Sequence, residues 1–568
     1  MHFFYKSWQF FLGLILSLAL LWPLVISPAF SHHDDVEYIR VYDMSKCFAD
    51  FQIPCRWVPD LGGLYGYPLF NYYAPLPYYF GALIYSISGS LIITSKIMFF
   101  TSFIGAFIFM YLLSVKFWGK TGALMSSVFY SYGPYHALDF YVRGAMGEMW
   151  GLMFYPAIFW ALTRLEEKVN IKRMLLTGFF TALLITSHNL STMIFLPLCL
   201  IWIIILYFKK KEKKFLTYGF SSIIIGILLA SFYFFPVIFE KDFAHLETTI
   251  QGYFSYTEHF KGFKKLFIER DWGYGGSIRE VPGGERDGLS YQIGWAHILA
   301  WILALYTAFV LWKKQRWISM VIIFSSISIL GAVFMVNPRS NFIWQLIDPL
   351  KYLQFPWRFL LVISFFISFI SGSFLLSFLK DKRYIWILML ILVVGLNFFY
   401  FKPEKFINIS DKQLLSGSDW ERQIKRSIFD YLPIFAKEPP ANLATDKYKI
   451  LTGDSQIFDY QQGTNWINFK TETNTHTILR LSQYYFPDWK IFVDGVQAKI
   501  DYDSNSLGLM TIILGEGKHT VEARLYDTPI RTIANGLSGI TAILMLIFYI
   551  SQLRAVKKWI SYYRKGIN

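Results

Sequence analysis

Leu190-Ser-Thr-Met-Ile-Phe-Leu-Pro-Leu-Cys-Leu-Ile-Trp-Ile-Ile-Ile-Leu-Tyr-Phe208 carries no charge and runs directly into Lys209-Lys-Lys-Glu-Lys-Lys214, after which a second apolar window covers 215–239. An apolar run of about 20 residues suffices to cross a ~30 Å hydrocarbon core. Short loops rich in lysine and arginine stay on the cytoplasmic side. The pair therefore reads as two membrane helices joined inside the cell.

Comparable windows recur near 8–27, 93–115, 121–138, 147–164, 174–189, 293–312, 317–336, 357–379, 384–401 and 531–551, which brings the total to about twelve spans of bilayer length. The 78–90 stretch is apolar but short, and suits an interfacial or re-entrant segment. The first window follows Lys6 and lacks a small-x-small cleavage site before Ser31, so it reads as a retained helix rather than a signal peptide. With the N-terminus cytoplasmic, the basic clusters all fall on one side. They are Lys116/Lys120, Arg164/Lys168/Lys172/Arg173, 209–214, Lys313/Lys314/Arg316, Lys380/Lys382/Arg383 and the tail Arg554, Lys557, Lys558, Arg564 and Lys565. Both termini are then cytoplasmic. Composition agrees: 54% of residues are hydrophobic and 16% charged, against about 25% charged in a soluble domain. The orienting clusters account for the net charge of +15 without a nucleic-acid partner.

This topology divides the chain into a membrane part, 1–401, with a large exterior first loop at 28–77, an exterior domain at 402–530, and a final helix with a basic tail at 531–568. Segment 240–292 also faces outward. The exterior domain turns β-rich from about 440. Thr477-Ile-Leu-Arg-Leu-Ser482 alternates with period two. Asp494-Gly495 separates 490–493 from 496–500, as a hairpin turn with positive φ at both positions requires. A further pair, 509–514 and 519–525, flanks Gly515-Glu-Gly-Lys518. The expectation is a small antiparallel β-sandwich. Its aromatics Tyr484, Tyr485 and Trp489 either fill the core or stack on glycans. Cys47 and Cys55 share one loop and are either paired or free thiols, while Cys199 sits in an apolar window.

Chemistry is concentrated on the outward side. Ser31-His32-His33-Asp34-Asp35-Val36-Glu37 brings three carboxylates together. Such a group can supply a general base to an acceptor hydroxyl, or Asp34, Asp35 and Glu37 can hold a divalent cation. A solvated helix start explains the same pattern. Tyr135, His136, Asp139, Arg143 and Glu148 form a second cluster, for which a structural ion pair is the alternative. His188-Asn189 ends one helix, and Arg358 introduces another within Gln354-Phe-Pro-Trp-Arg358, where its planar fork suits phosphate.

Several of these motifs carry a family resemblance. His33-Asp34, Arg56-Trp-Val-Pro-Asp60, Tyr65-Gly-Tyr-Pro-Leu-Phe-Asn71, Pro75-Leu-Pro-Tyr-Tyr79, Tyr141-Val-Arg-Gly-Ala145 with Glu148, His188-Asn189 and Phe355-Pro-Trp-Arg358 resemble the bacterial 6-pyruvoyl-tetrahydropterin synthase-related membrane proteins. Pro487-Asp-Trp489, Asp494-Gly495 and Gly517-Lys-His-Thr-Val521 extend the likeness to the exterior domain. The group is similar to GT-C superfamily glycosyltransferases. That resemblance implies a GT-C-like fold and a polyprenyl-phosphate sugar donor. It further implies inverting transfer on the outer face to a glycan, lipid or protein acceptor. Asp34 becomes the base, with Asp35 as its neighbour or a metal ligand and Glu148 as a second carboxylate. Arg56, Tyr67, Asn71, Arg143, His188, Asn189 and Arg358 become substrate-binding candidates. No cofactor is implied beyond that optional cation. The family shows a His shortly after its His-Asp, where this chain has Glu37-Tyr38. The competing readings are a lipid or glycan transporter or flippase, and a non-catalytic scaffold for envelope assembly.

Overall fold

The computed structural model describes residues 7–279, 287–378, 384–426 and 431–565, with side chains to Gln552 in the last helix. Lys6, Lys380, Lys382 and Arg383 lie outside the described residues, as do the side chains of the basic tail. Among the described residues, five helices are long and apolar enough to cross a membrane: Leu91–Ser131, Asn189–Lys210, Arg316–Val336, Pro356–Ser377 and Pro529–Gln552. Lys213–Leu229 and Ser231–Phe239 make a sixth if they count as one span, although they bend by 78° at Ala230. Shorter or more polar helices occupy the other apolar windows, including Trp8–Ala19, Met146–Glu167, Ile171–Ser187, Trp295–Leu311 and Ile385–Asn397.

Three windows depart from straight spans. The first breaks after Ala19, and a separate turn, Trp22–Ile26, begins with Pro23 in its first turn. Leu91–Ser131 is two helices meeting at Gly119, whose φ of 70° no helical residue adopts. The window at 121–138 stops at Ser131, because the chain then turns through Pro134–Ala137 into a π-helix, Leu138–Arg143.

The basic segments gather in one place and the segments 28–77, 240–292 and 402–530 in another. Lys209 and Lys210 hold Glu166 at 2.8 and 3.2 Å, and Lys116 holds Glu167 at 2.9 Å. Tyr549 donates to the Lys172 carbonyl at 3.4 Å beside them. The three exterior segments touch one another. His33 Nε2 lies 2.9 Å from the Tyr274 carbonyl, and Ala244 bridges Pro433. Ala29–Phe30 (β1) also pairs with Phe406–Ile407 (β2).

The C-terminal β region contains β3 (Tyr448–Thr452), β4 (Ser455–Gln462), β5 (Trp466–Thr473), β6 (Thr477–Tyr484), β7 (Trp489–Val493), β8 (Val496–Ala498), β9 (Leu509–Leu514) and β10 (Gly517–Leu525). They form two antiparallel sheets, ordered β4-β5-β10-β7-β8 and β3-β6-β9. The Asp494-Gly495 turn has φ of 51° and 80° and closes β7 onto β8 with Val493 opposite Val496. One expectation is corrected. The strands flanking 515–518 are not partners, because β9 joins β6 while β10 joins β5 and β7. The burial pattern gives the reason. β9 is buried at five of six positions, whereas β10 alternates along its length, so the two suit different sheets, and Gly517 at φ 125° accommodates the crossing.

Both sheets and the first loop share one apolar cluster containing Trp57, Tyr72, Ala244, Leu479, Tyr484, Trp489, Ile491 and Val521. Trp57 meets Trp489 edge-on at 5.7 Å, and Tyr65 lies 5.4 Å from Tyr484. Tyr484 and Trp489 are therefore core residues, and Tyr485 stacks on Tyr502 at 3.9 Å. Gly66, at φ 79°, lies where a Cβ would come within 2.3 Å of the Trp57 ring nitrogen. Cys47 and Cys55 form a disulfide that closes the same loop, as an exterior compartment permits. Removing a fully buried tryptophan costs about 3–5 kcal/mol. Trp57→Ala should therefore lower the thermal unfolding midpoint of the detergent-solubilised protein by several degrees. Ile513→Ala, at a site 66% exposed, should leave it unchanged.

Candidate functional site

The π-helix sets the site. Within it Asp139 Oδ1 lies 2.5 Å from Arg143 Nη1, and π-turns recur at functional positions. Gly144 follows at φ +66°, and a Cβ there would sit 2.3 Å from His32 Nδ1. Glycine thus lets the first loop lie directly on this segment. The His33 N–H donates to the Val142 carbonyl at 3.0 Å and the Asp34 N–H to the Arg143 carbonyl at 2.9 Å. Asp34, half-buried, is thereby placed at the edge of a cationic cluster, within coulombic reach of Arg40, Arg143 and Arg358.

Glu148 organises that cluster. Its Oε2 lies 2.9 Å from Arg143 Nη1 and 3.4 Å from Arg358 Nε, and Tyr135 donates its hydroxyl to Oε1. Arg358 is oriented by the Leu353 carbonyl at 2.7 Å and Gln354 Oε1 at 3.1 Å. Gln354, at φ 61°, reaches on to the Thr249 carbonyl of the second exterior segment. Trp357 lies 4.9 Å beneath the Arg143 guanidinium and Phe355 5.0 Å from that of Arg358. Glu148 is 1% exposed, whereas each arginine keeps 7%.

The first loop's carboxylates do not converge. Glu37 Oε1 takes Arg40 Nη1 at 3.0 Å, and its Oε2 takes the Tyr78 hydroxyl at 2.6 Å. Asp35 pairs with Arg422 at 3.4 Å. Among the described residues no three His, Cys, Asp or Glu are arranged to hold a metal. The expected Asp34/Asp35/Glu37 cation site is thus corrected: Glu37 and Asp35 are drawn toward different arginines. His188 joins the cluster through its interaction with Glu148, and its Nδ1 caps the next helix by accepting the Ser191 N–H at 3.2 Å. Asn189 spends its side chain locally on the Leu190 N–H.

Arg56, Tyr67 and Asn71 form a separate group. Arg56 donates to Asn71 at 3.3 Å and to Asn535 at 2.9 Å, and the Tyr67 hydroxyl accepts the Tyr431 N–H at 2.7 Å. These contacts tie the first loop to the final helix and the β region instead of to Asp34. Arg40 escaped the sequence reading, although it stands one helical turn beyond Glu37, and Tyr78 and Gln354 entered it only as members of motifs.

Removing one partner of a buried ion pair leaves the others uncompensated, at a cost of about 3–5 kcal/mol. Glu148→Ala, which strands two arginines, should destabilise the detergent-solubilised protein by that order in thermal unfolding. Glu421→Ala, on an exposed surface, should do nothing measurable. Burial pushes the Glu37 carboxyl up from 4.5 to about 7, against the opposing pull of Arg40. The folded chain therefore holds a proton that the unfolded chain releases near 4.5. Stability from this group is full below that value and lost as pH rises through about 7. The unfolding midpoint should fall across this window, and Glu37→Gln should flatten the profile.

A family model described as "6-pyruvoyl-tetrahydropterin synthase related domain; membrane protein" matches residues 70–403. This is more than half of the 568 residues, and it includes Arg143, Glu148, His188 and Arg358 while Asp34 precedes it. A protein of Lactococcus lactis subsp. cremoris (strain MG1363), named only as uncharacterized, is 27% identical over 212 residues, covering 35% of this chain and 34% of its own length. The chain thus spans about a third of that curated relative.

Proposed function

The chain belongs to the 6-pyruvoyl-tetrahydropterin synthase-related family of membrane proteins, and on that premise we propose that it transfers a sugar from a polyprenyl-phosphate donor to an acceptor outside the cell. The supporting observation is the docking of Asp34, by its own backbone, on the carbonyl of Arg143, beside a second arginine from a distant helix. In this reading the Asp34 carboxylate takes the proton of an acceptor hydroxyl as that oxygen attacks the anomeric carbon. The carbon–phosphate-oxygen bond breaks on the opposite face, configuration inverts, and the polyprenyl phosphate departs with its charge on Arg143 and Arg358. Glu148 holds the two guanidinium groups in place, and Gln354 aims one of them.

The proposal carries the finer topology with it: about twelve spans with both termini in the cytoplasm, a GT-C-like arrangement, and the β region as an exterior sandwich in a bacterial cell membrane. Apolar helices at every one of the twelve windows, and the gathering of the exterior segments in one place, support this topology.

General-base catalysis contributes about 10²–10⁴-fold. Membranes supplied with radiolabelled polyprenyl-phosphate sugars should therefore lose transfer by that factor in Asp34→Asn. Asp35→Asn, whose partner Arg422 is largely exposed, should change it by less than about threefold, as a surface pair warrants. Equal transfer by wild type and Asp34→Asn removes Asp34 from the reaction. Accumulation of intact donor inside proteoliposomes, with no product, replaces transfer by transport.

A further inference from the structure

Away from the arginine cluster, a groove of about 510 Å³ opens between the first loop and the β region. That is within the ~300–1,000 Å³ of ordinary ligand sites. Lys46, Asp50 and Asp60 stand on one wall, and Asp446, Lys447 and Gln462 on the other. The walls are fixed to one another. Gln52 donates to Thr464 Oγ1 at 2.9 Å, the Thr464 N–H donates to Asp50, and the Ala444 N–H donates to the Gly63 carbonyl at 2.9 Å.

Behind the loop wall lies Asp43. It is fully buried, and neither carboxylate oxygen has a hydrogen-bond partner among the described residues. Asp43, Lys46 and Asp50 share one face of the helix Glu37–Ala49 and its cap. Burial, reinforced by Asp60, pushes the Asp43 carboxyl well up. The groove surface then presents Asp50, Asp60 and Asp446 against Lys46 and Lys447, with Lys46 and Asp60 already paired at 2.5 Å. Its net field is small. Three carboxylates outnumber the two lysines, which disfavours phosphate, and the near balance of charge disfavours strongly charged peptides. What remains is a dense, mixed set of carboxylate, amide, hydroxyl and ammonium groups, which suits a ligand with many hydroxyls that both donate and accept.

The geometry points to this groove as the docking site of the acceptor, an uncharged carbohydrate chain held between the first loop and the β region. The assignment rests on the sugar-transfer reading, since it supplies the second substrate. It also explains why the β region is wedded to the loop that carries Asp34.

The test uses the full chain in nanodiscs and neutral glucan, mannan, galactan, rhamnan and chitin tetrasaccharides, with tetraglutamate, tetralysine and inorganic phosphate as competing classes. Thr445→Trp places a large ring at the exposed rim, and Asp446→Ala removes a carboxylate there. Losing a hydrogen bond to a charged group costs about tenfold in affinity, so each variant should weaken binding of at least one tetrasaccharide by that factor. Both must keep the wild-type unfolding midpoint, and Lys447→Ala replaces either one that does not. The groove assignment falls if no tetrasaccharide binds, if both variants bind as wild type does, or if tetraglutamate, tetralysine or phosphate is preferred. Transfer is followed separately. Groove-dependent binding without any transfer sinks the sugar-transfer reading alone, whereas transfer without groove-dependent binding sinks the groove alone.

Discussion

Two guanidinium groups from separate parts of the chain share one buried carboxylate, and the architecture at the outward end follows from that. Arg143 arrives on a π-turn and Arg358 at the start of a later helix, yet both close on Glu148 Oε2. Three charges withdrawn from water would be prohibitive singly. Together with Asp139 they are compensated, and the aromatic faces of Trp357 and Phe355 take up the remaining positive edges. Because each arginine retains a little exposure, the cluster still offers positive charge to an anion. Glu148 is shared between the two guanidinium groups, whereas Asp34 lies half-buried at their edge.

The second constraint is the union of the first loop with the C-terminal region. More than 430 residues separate Trp57 from Trp489, but the two rings lie in a single apolar cluster. Arg56 adds polar ties to Asn71 and to Asn535 in the final helix. A loop that began as an irregular connection rich in aromatics and glycine is in consequence part of a folded core. Its rigidity is what holds Asp34 against Arg143 at one side and keeps an open groove at the other.

Much of this was legible beforehand, and for identifiable reasons. Every apolar window chosen from hydropathy became helix, because in a bilayer an apolar backbone segment must satisfy its hydrogen bonds internally. The Asp494-Gly495 turn was legible because two successive positive φ angles leave few residue choices. Breaks inside spans were not. The bends at Gly119 and Ala230 depend on what packs beside them, and the switch of β9 and β10 into different sheets depends on which cross-strand partner covers their apolar faces. Among the candidate residues, Asp34, Arg143, Glu148, His188 and Arg358 lie together, whereas Arg56, Tyr67 and Asn71 belong to another contact set. Glu37 was grouped with its sequence neighbours and instead turned inward to Arg40 and Tyr78.

By itself the sequence determined that this is a helical membrane protein of a particular family with a β-rich C-terminal region, because hydropathy, charge asymmetry and turn chemistry are local properties written residue by residue. Only the tertiary structure decided which carboxylate faces which arginine, and that Asp34, Asp35 and Glu37 part company within four residues. Ionic partners are chosen by three-dimensional proximity under burial, and no spacing along the chain encodes a neighbour that arrives from some 200 residues away, as Arg358 does to Glu148.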